Sequence, residues 1–411
     1  MTKKLGKNSG EKQSKSHLES VTDKVGETAI HYGFTVVRPP QITSDDISKY
    51  KQFKESDHYG DALEKIALTR WYIENRLETE AQPITIHYKR PLLGGHLKKK
   101  PNIEMYGFEV MGNTKATSEA LILKTILAVL DDLGYRDLYL DINSIGDRES
   151  ISRFERELQS YFRKNQHILP AKLRNDFKKN HYSFVIENHP ESKEFLKNAP
   201  QTVGTLSEAG RLHFKEVLES IEAFDVSYKI KPHAIASKHY ASYTIFEVRQ
   251  ISEKKEEDGI LLAYGYRYNH LAKKIGGKKD ISSVGGTILV KKHPSFTKKV
   301  AIKNIKKPRF YLVQLGSIAK LKVLNVVEML RKNKIGVYHS ITKDKITGQL
   351  NGAEYMKASH VLIMGQKEAI ENSIVVRNLI NREQETVSLE KLPEFLKSLD
   401  KDEVKKKKMK K

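Results

Sequence analysis

Hydrophobic residues recur at helical spacing in some stretches before residue 290 and alternate as in strands in others. Recurrence every three or four residues predicts helices at 17–32, 62–77, 118–133 and 206–222, and the charged, aromatic stretch 150–198 also reads as helical. Alternation or short apolar runs predict strands at 35–40, 83–90, 103–111, 138–142, 226–230, 242–248, 260–266 and 282–290. Strands and helices are therefore mixed here without a strict order.

After residue 308 the pattern becomes strictly alternating. Short apolar strands at 310–314, 336–340, 360–364 and 374–378 are separated by helices at 318–333, 348–358 and 367–372. This rhythm predicts a parallel or mixed sheet covered by helices on both faces.

Length indicates more than one domain, because single cores stop growing near roughly 250–300 residues and this chain has 411. A lysine-rich stretch with prolines at 294 and 308 separates the two patterns. We predict the following organisation: a disordered basic tail at 1–16, a first domain at 17–298, a linker at 299–308, a second domain at 309–399 and a lysine-rich tail at 400–411.

The chain is strongly basic, with a formal net charge of +22. Residues 1–16 carry five Lys against one Glu (+4) and residues 401–411 carry seven Lys against two acids (+5), which leaves +13 for the remainder. Basic side chains near phosphates release condensed counterions. The charge therefore favours a polyanionic partner, with nucleic acid as the leading class.

Other chemistry is narrowed by what the sequence lacks. There is no cysteine, which excludes disulfides, thiol nucleophiles and cysteine zinc sites, and we assign no metal ligands. No apolar run approaches the roughly 18–20 residues of a membrane span, and the first residues lack the apolar core of a signal peptide. A cytoplasmic location is expected.

Several segments, taken in order, resemble one known family. They are LYLDINSIG at 138–146, NAP at 198–200, FDVSY at 224–228, YTIFE at 243–247, GYRYN at 265–269, DISSVGGTILV at 280–290 and HVLIMGQKE at 360–368. The collinear set, from residue 18 to 396, resembles the histidyl-tRNA synthetases of class II. The resemblance implies an α+β domain built on an antiparallel sheet with flanking helices, followed by an α/β anticodon-binding domain.

The resemblance also implies ligation of histidine to its tRNA with ATP and Mg²⁺, usually by a homodimer. The family's second motif, Phe-Arg-x-Glu-Arg-Pro, is matched by residues 86–91, where only Arg90 and Pro91 remain. His87 stands in place of the phosphate-binding arginine, and Lys292 in place of the arginine that stacks on ATP. Because Arg alone offers a planar, permanently charged fork, these changes weaken phosphate binding. His87, Arg90 and Lys292 are the candidate catalytic positions.

The residues that match the family's amino-acid-binding site also lack groups on which ligation depends. Glu109 matches the carboxylate that binds the amino group of histidine, and Tyr240, Gly265 and Arg267 match further substrate-binding positions. Ala236 replaces the catalytic arginine of the histidine-specific segment, and residues 53–62 contain no counterpart of Leu-Arg-Pro-Glu-Gly-Thr. Removing one transition-state donor typically costs about 2.7–4 kcal/mol, so ordinary ligation is not expected.

The second domain shows no comparable loss, which favours a retained role in binding RNA. Candidate phosphate contacts are Lys98, Lys99, Lys100, Arg331, Lys343 and Arg377. The favoured hypothesis is a homodimeric synthetase-like protein that binds tRNA, expected to be histidine tRNA, with a degenerate aminoacylation site. Two alternatives stay open: an active ATP-dependent histidine-tRNA ligase, and a regulatory subunit of ATP phosphoribosyltransferase, a class that normally lacks an anticodon domain.

Overall fold

A computed structural model describes residues 18–52, 57, 59–91, 102–187, 189–232, 239–251, 259–292 and 298–399. These form two compact units. Unit 1 contains residues 18–19 and 35–292, and unit 2 contains residues 20–34 and 298–399. A short amino-terminal segment thus belongs with the carboxy-terminal part of the chain.

The secondary structure follows the predicted order closely. The helices are α1 Lys24–His31, α2 Ser44–Tyr50, α3 Ala62–Glu74, α4 Thr117–Asp132, α5 Arg148–Asn165, α6 Ala171–Lys179, α7 His181–Glu187, α8 Lys193–Lys197, α9 Glu208–Glu222, α10 Leu271–Lys274, α11 Ser317–Lys332, α12 Ile346–Tyr355, α13 Gln366–Ile370 and α14 at 392–399. The strands are β1 Val21–Thr22, β2 Thr35–Val36, β3 Ile84–Arg90, β4 Ile103–Met111, β5 Leu138–Ser144, β6 Ser227–Ile230, β7 Ser242–Gln250, β8 Ile260–Arg267, β9 Ser283–Lys291, β10 Val300–Ala301, β11 Phe310–Gln314, β12 Val337–His339, β13 His360–Met364, β14 Ser373–Asn378 and β15 Gln384–Ser388.

Unit 1 is built on an eight-stranded sheet in the order β2-β3-β4-β9-β8-β7-β5-β6. The inner strands are antiparallel, and only the outermost pairs β2/β3 and β5/β6 are parallel. The predicted antiparallel sheet with flanking helices is confirmed.

Two apolar helices lie on opposite faces of this sheet. The broad buried face of α4 contacts the sheet where Gly286 leaves room, since a Cβ there would lie 2.8 Å from Ile122 and from Ile126. The adjacent Gly285 faces α3, where a Cβ would overlap Lys65 and Glu109. Successive residues of a strand point to opposite faces, so the glycine pair admits a helix on each side.

Between β5 and β6 the chain forms the predicted helical stretch. Asp147 caps α5, accepting a hydrogen bond of 2.9 Å from the backbone N–H of Ser150. The helices enclose aromatic side chains that contact one another, as in the stacked pair Phe162 and Phe177, whose ring centres lie 4.1 Å apart. This core is aromatic and continuous with residues of the main sheet.

Unit 2 contains a five-stranded sheet in the order β12-β11-β13-β14-β15, in which β12, β11 and β13 are parallel and β14 and β15 are antiparallel. The predicted mixed α/β arrangement is confirmed.

The amino-terminal segment differs from its predicted single helix at 17–32. Val21 and Thr22 pair with β10, and Asp23 then caps α1 by accepting a 3.1 Å hydrogen bond from Gly26 N–H. The β-branched pair and the aspartate interrupt the helical pattern, because the pair finds a strand partner distant in sequence. In the described part of the chain, none of the helices is both long and apolar enough to cross a membrane.

Candidate functional site

A buried group of polar side chains lies between α3 and one face of the large sheet. Asp61, Glu64 and Lys65 have the spacing that places side chains on one helix face, and alternate residues of the strands face them. We call this group the buried polar cluster; its members are Asp61, Glu64, Lys65, Tyr88, Arg90, Glu109, Tyr264, Tyr266, Tyr268 and Thr287.

Glu109 accepts hydrogen bonds from three donors within the buried polar cluster. The ammonium of Lys65 forms an ion pair with Oε1, the hydroxyl of Tyr88 donates to Oε1 at 2.9 Å, and the hydroxyl of Tyr268 donates to Oε2 at 2.7 Å. Glu109 is 0% exposed and Lys65 2%. Burial raises the pKa of Glu109 above its usual value, while Lys65 and the two hydroxyls lower it. Both carboxylate oxygens are therefore engaged by the protein itself.

Arg90 is likewise bound by other side chains of the buried polar cluster. Its Nε donates to Glu64, and its Nη1 donates to the Tyr264 hydroxyl and to Thr287 Oγ1, each at 2.9 Å. The side chain is 2% exposed. A guanidinium with these partners is a structural ion-pair group, and reaching a phosphate would require it to leave Glu64.

Carboxylates and tyrosines continue the cluster at the amino end of α3. Tyr266 donates to Asp61 Oδ1 at 2.5 Å, and Tyr240 donates to Asp57 Oδ1 at 3.2 Å. Burial and the neighbouring charge of Asp61 raise the pKa of Asp57 to about 6. The ring of Tyr59 stacks on that of Tyr264, with centres 4.3 Å apart. The phenol rings occupy the space over this face of the sheet.

Gly265 lies in the middle of β8, between Tyr264 and Tyr266, and faces the opposite side of the sheet. A Cβ there would lie 2.3 Å from the ring of Phe246 and 2.5 Å from the Gly285 carbonyl oxygen. The glycine therefore permits close packing of the sheet. Among the predicted site residues, the structure brings together Arg90 and Glu109, with Tyr240 beside them, whereas Gly265 lies on the opposite face of the sheet.

His87 and Arg267 lie on the opposite face of the sheet. The His87 ring packs between Tyr106 and Phe108, and its Nδ1 lies 3.1 Å from the Gly107 carbonyl oxygen. Arg267 is fully buried and donates to Glu119 from Nε at 2.6 Å. Strand alternation separates both residues from Arg90.

Lys292 follows the end of β9 and is exposed; its backbone N–H donates to Asn102 at 3.0 Å. The lysines predicted to contact RNA at 98, 99 and 100 lie outside the described residues, as do Ala236 to Lys238.

The other predicted RNA contacts lie in unit 2. Arg331 donates to Glu328 from Nε at 2.7 Å and from Nη2 at 2.9 Å, and its side chain is 10% exposed. Lys343 lies in the loop after β12, and Arg377 is half-buried on β14. Lys343 and Arg377 are therefore the better placed of the three to reach a phosphate.

Sequence reasoning missed most of the buried polar cluster. Lys65, Tyr88, Tyr264, Tyr266 and Tyr268 were not predicted as site residues. Two signals were present: Asp61, Glu64 and Lys65 share one face of an otherwise apolar helix, and tyrosines occupy three alternate positions at 264, 266 and 268. Because strand alternation places such tyrosines on one side, they indicate a shared polar environment.

Known proteins match this chain along most of its length. The anticodon binding domain family matches residues 299–399. Histidine–tRNA ligase of Clostridium perfringens strain SM101 is 24% identical over 391 residues, covering 90% of this chain and 92% of the relative. The enzyme of that name from Halothermothrix orenii is 26% identical over 341 residues, covering 81% and 80%. Apo histidyl-tRNA synthetase of S. aureus has a similar fold, with a TM-score of 0.50 and 22% identity over 90% of this chain and 93% of that one.

The antiparallel sheet with flanking helices, joined to an anticodon binding domain, is the architecture of a class II aminoacyl-tRNA synthetase. Within that class, the chain is similar to histidine–tRNA ligases over most of its length, at 24% and 26% identity to the two relatives above.

Proposed function

We propose that this protein binds tRNA and does not carry out ordinary ligation of histidine. One observation carries the second half of the proposal: the charged groups of the buried polar cluster are paired with each other. Glu109 binds Lys65, Arg90 binds Glu64, and all four side chains are buried. Activating an amino acid needs cations free to stabilise the α-phosphate of ATP. The guanidinium of Arg90 is instead paired with the carboxylate of Glu64.

Binding of RNA rests on charge and on unit 2. The chain carries +22, of which +13 lies outside the two terminal tails, and long-range attraction to phosphate follows. Residues 299–399 match the anticodon binding domain family, and the relatives are named histidine–tRNA ligases. We therefore propose tRNA, with histidine tRNA first, as the partner.

Two of the described positions that match the family's ATP contacts lie beside carboxylates. The single arginine retained from the second motif is buried against Glu64, and Lys292 lies near Glu104. The proposal accordingly contains no step that uses ATP or Mg²⁺.

A homodimer in the cytoplasm completes the proposal. The homodimer comes from the family resemblance, and the location from the lack of an apolar run long enough to span a membrane. Sedimentation velocity of the purified full chain would test the assembly, since a single species at about 47 kDa would contradict a dimer.

The RNA partner is tested by filter binding with purified histidine tRNA. We expect affinity to fall at least tenfold between 50 and 200 mM salt, as counterion release requires. Replacing Lys343 and Arg377 together by alanine should weaken binding and lower the salt slope by about 2, or about 1 for each lost phosphate contact. Lys391→Ala, a matched loss of an exposed lysine in the same unit, should change neither. Binding that ignores salt would contradict the proposal.

An active ligase is the second candidate, because the relatives carry that name. Exchange of pyrophosphate into ATP separates the two. We expect no histidine-dependent exchange from the full chain. Pyrophosphate exchange above that of a control reaction without histidine would overturn the proposed loss of histidine activation. It would not affect the proposal that the protein binds tRNA.

A further inference from the structure

The ammonium group of Lys65 is surrounded by a carboxylate and two aromatic rings, the groups that bind ammonium ligands. It forms an ion pair with the buried carboxylate of Glu109. It also lies 5.3 Å from the ring centre of Tyr268 and 5.7 Å from that of Tyr266. A carboxylate with aromatic faces is the combination that recognises alkylammonium groups.

The Glu109 carboxylate is also held in place by hydrogen bonds from two tyrosine hydroxyls. Tyr88 and Tyr268 donate to its two oxygens at 2.9 and 2.7 Å. Backbone closes the remaining approach, since a Cβ on Gly285 would lie 2.1 Å from Glu109 Oε2 and 2.3 Å from Lys65 Nζ. Residues of α3, β3, β4, β8 and β9, with Tyr268 after β8, thus surround the Lys65–Glu109 pair.

The ammonium group is carried by a side chain of α3, the helix that packs over the sheet. Lys65 is on α3, and its helix neighbours Ile66 and Ala67 are fully buried. The stem of the lysine is therefore buried along its length up to Glu109. A buried ion pair needs further hydrogen bonds to its carboxylate, which two hydroxyls supply here, and two aromatic rings also lie by the ammonium.

We propose that Lys65 is an internal ligand: its ammonium occupies a binding site for a primary amine, and removing the side chain opens that site to a free n-alkylamine. The inference deepens the proposed function, because it names the group that closes the catalytic centre to an amino-acid ligand. The wild-type chain excludes free amines as long as Lys65 is in place.

The test uses Lys65→Ala in the full chain with n-butylamine, which supplies the deleted butylammonium. We expect saturable binding in calorimetry and a rise in Tm of about 5 °C at saturating amine. Neutral n-butanol should give less than a tenth of that affinity. Wild type, and Lys65→Met, which fills the space of the side chain without charge, should show no amine binding. Equal effects of butylamine and butanol would overturn the proposal.

A second variant covers the case in which Lys65→Ala does not fold. The natural chain has no cysteine, so Lys65→Cys introduces a unique thiol that can be alkylated in denaturant with 2-bromoethylamine. The thiolate displaces bromide and forms a thioether that carries an ammonium at lysine length. Refolding should recover wild-type Tm within a few degrees, and alkylation with neutral iodoacetamide should not. Equal recovery with both reagents would overturn the proposal.

These outcomes are separate from RNA binding. Lys65→Ala that folds should bind tRNA as wild type does, because the cluster is buried and far from solvent. Loss of tRNA binding by wild type would sink the proposed function alone. Failure of amine rescue in a folded variant that still binds tRNA would sink only the internal-ligand inference.

Discussion

At the scale of single residues, Glu119 shows how a charge is retained for the fold. It is fully buried on α4 and accepts hydrogen bonds from Arg267 at 2.6 Å and from His213 at 2.8 Å. Burial would raise the pKa of Glu119, but the neighbouring Arg267 and His213 bring it down to about 2. Arg267, predicted to bind substrate, is thereby occupied in joining β8 to α4.

Replacing Glu119 by glutamine should lower the free energy of unfolding at pH 7 by about 3–5 kcal/mol, because it leaves Arg267 buried without its counter-charge. The lowered pKa means that the ionised carboxylate stabilises the fold fully above about pH 4.5, and this contribution is lost as the pH falls towards 2. Urea unfolding at pH 7 and pH 3 should show the wild-type advantage shrinking. Glu149→Gln, in an exposed pair with Arg153, should cost under about 0.5 kcal/mol; equal losses would contradict this account.

The sequence indicated part of the candidate site and missed the rest for a physical reason. Arg90 and Glu109 were found because each keeps its place in a recognisable motif. Lys65 belongs to no motif, and a lysine on a helix usually extends into water. Its burial depends on Glu109, 44 positions later in the chain, and no local pattern reports so distant a partner.

At the scale of secondary structure, the segment at 20–34 was placed with the wrong part of the chain. It forms β1 with β10, and the Tyr32 hydroxyl donates to Glu328 at 2.7 Å. The apolar periodicity of α1 correctly indicated a buried helix face. Which core that face joins depends on contacts nearly 300 residues apart, so neighbours in sequence suggested the first domain.

Tyr32→Ala should loosen unit 2, because it empties a fully buried ring site at a cost of about 3–5 kcal/mol. We expect faster hydrogen exchange at the amides of β11 and β13, measured by mass spectrometry on the full chain. Tyr32→Phe keeps the ring and loses only the bond to Glu328, which should cost about 1 kcal/mol. Unchanged exchange in the alanine variant would show that the segment does not support this unit.

The strand β15 was not predicted, although the four strands before it were. Only Val387 among its five residues is buried, so alternation had almost nothing to register. It pairs antiparallel with β14 along the edge of the sheet. A polar edge strand is specified by backbone hydrogen bonds to its neighbour, which composition does not encode.

At the scale of the whole molecule, the two units have kept different features of their ancestry. Unit 1 retains the sheet and its helices. In the buried polar cluster on one face of that sheet, Lys65 pairs with Glu109 and Arg90 pairs with Glu64. Unit 2 matches the anticodon binding domain family over its length from residue 299 to 399. In the proposed function, unit 1 serves as a scaffold and unit 2 as the RNA-binding surface.

The distribution of charge then decides which part of the molecule binds RNA. The tails at 1–16 and 401–411 carry +9 of the +22, and the remainder carries +13. Deleting both tails should weaken tRNA binding and reduce the slope of log affinity against log salt, yet leave a clear salt dependence, because each lost phosphate contact removes about 0.9 from the slope. A variant with both tails replaced by Gly-Ser segments of equal length controls for chain length. Filter binding from 50 to 200 mM salt measures the slope, and complete loss of binding in both variants would assign RNA recognition to the tails and remove unit 2 from that role.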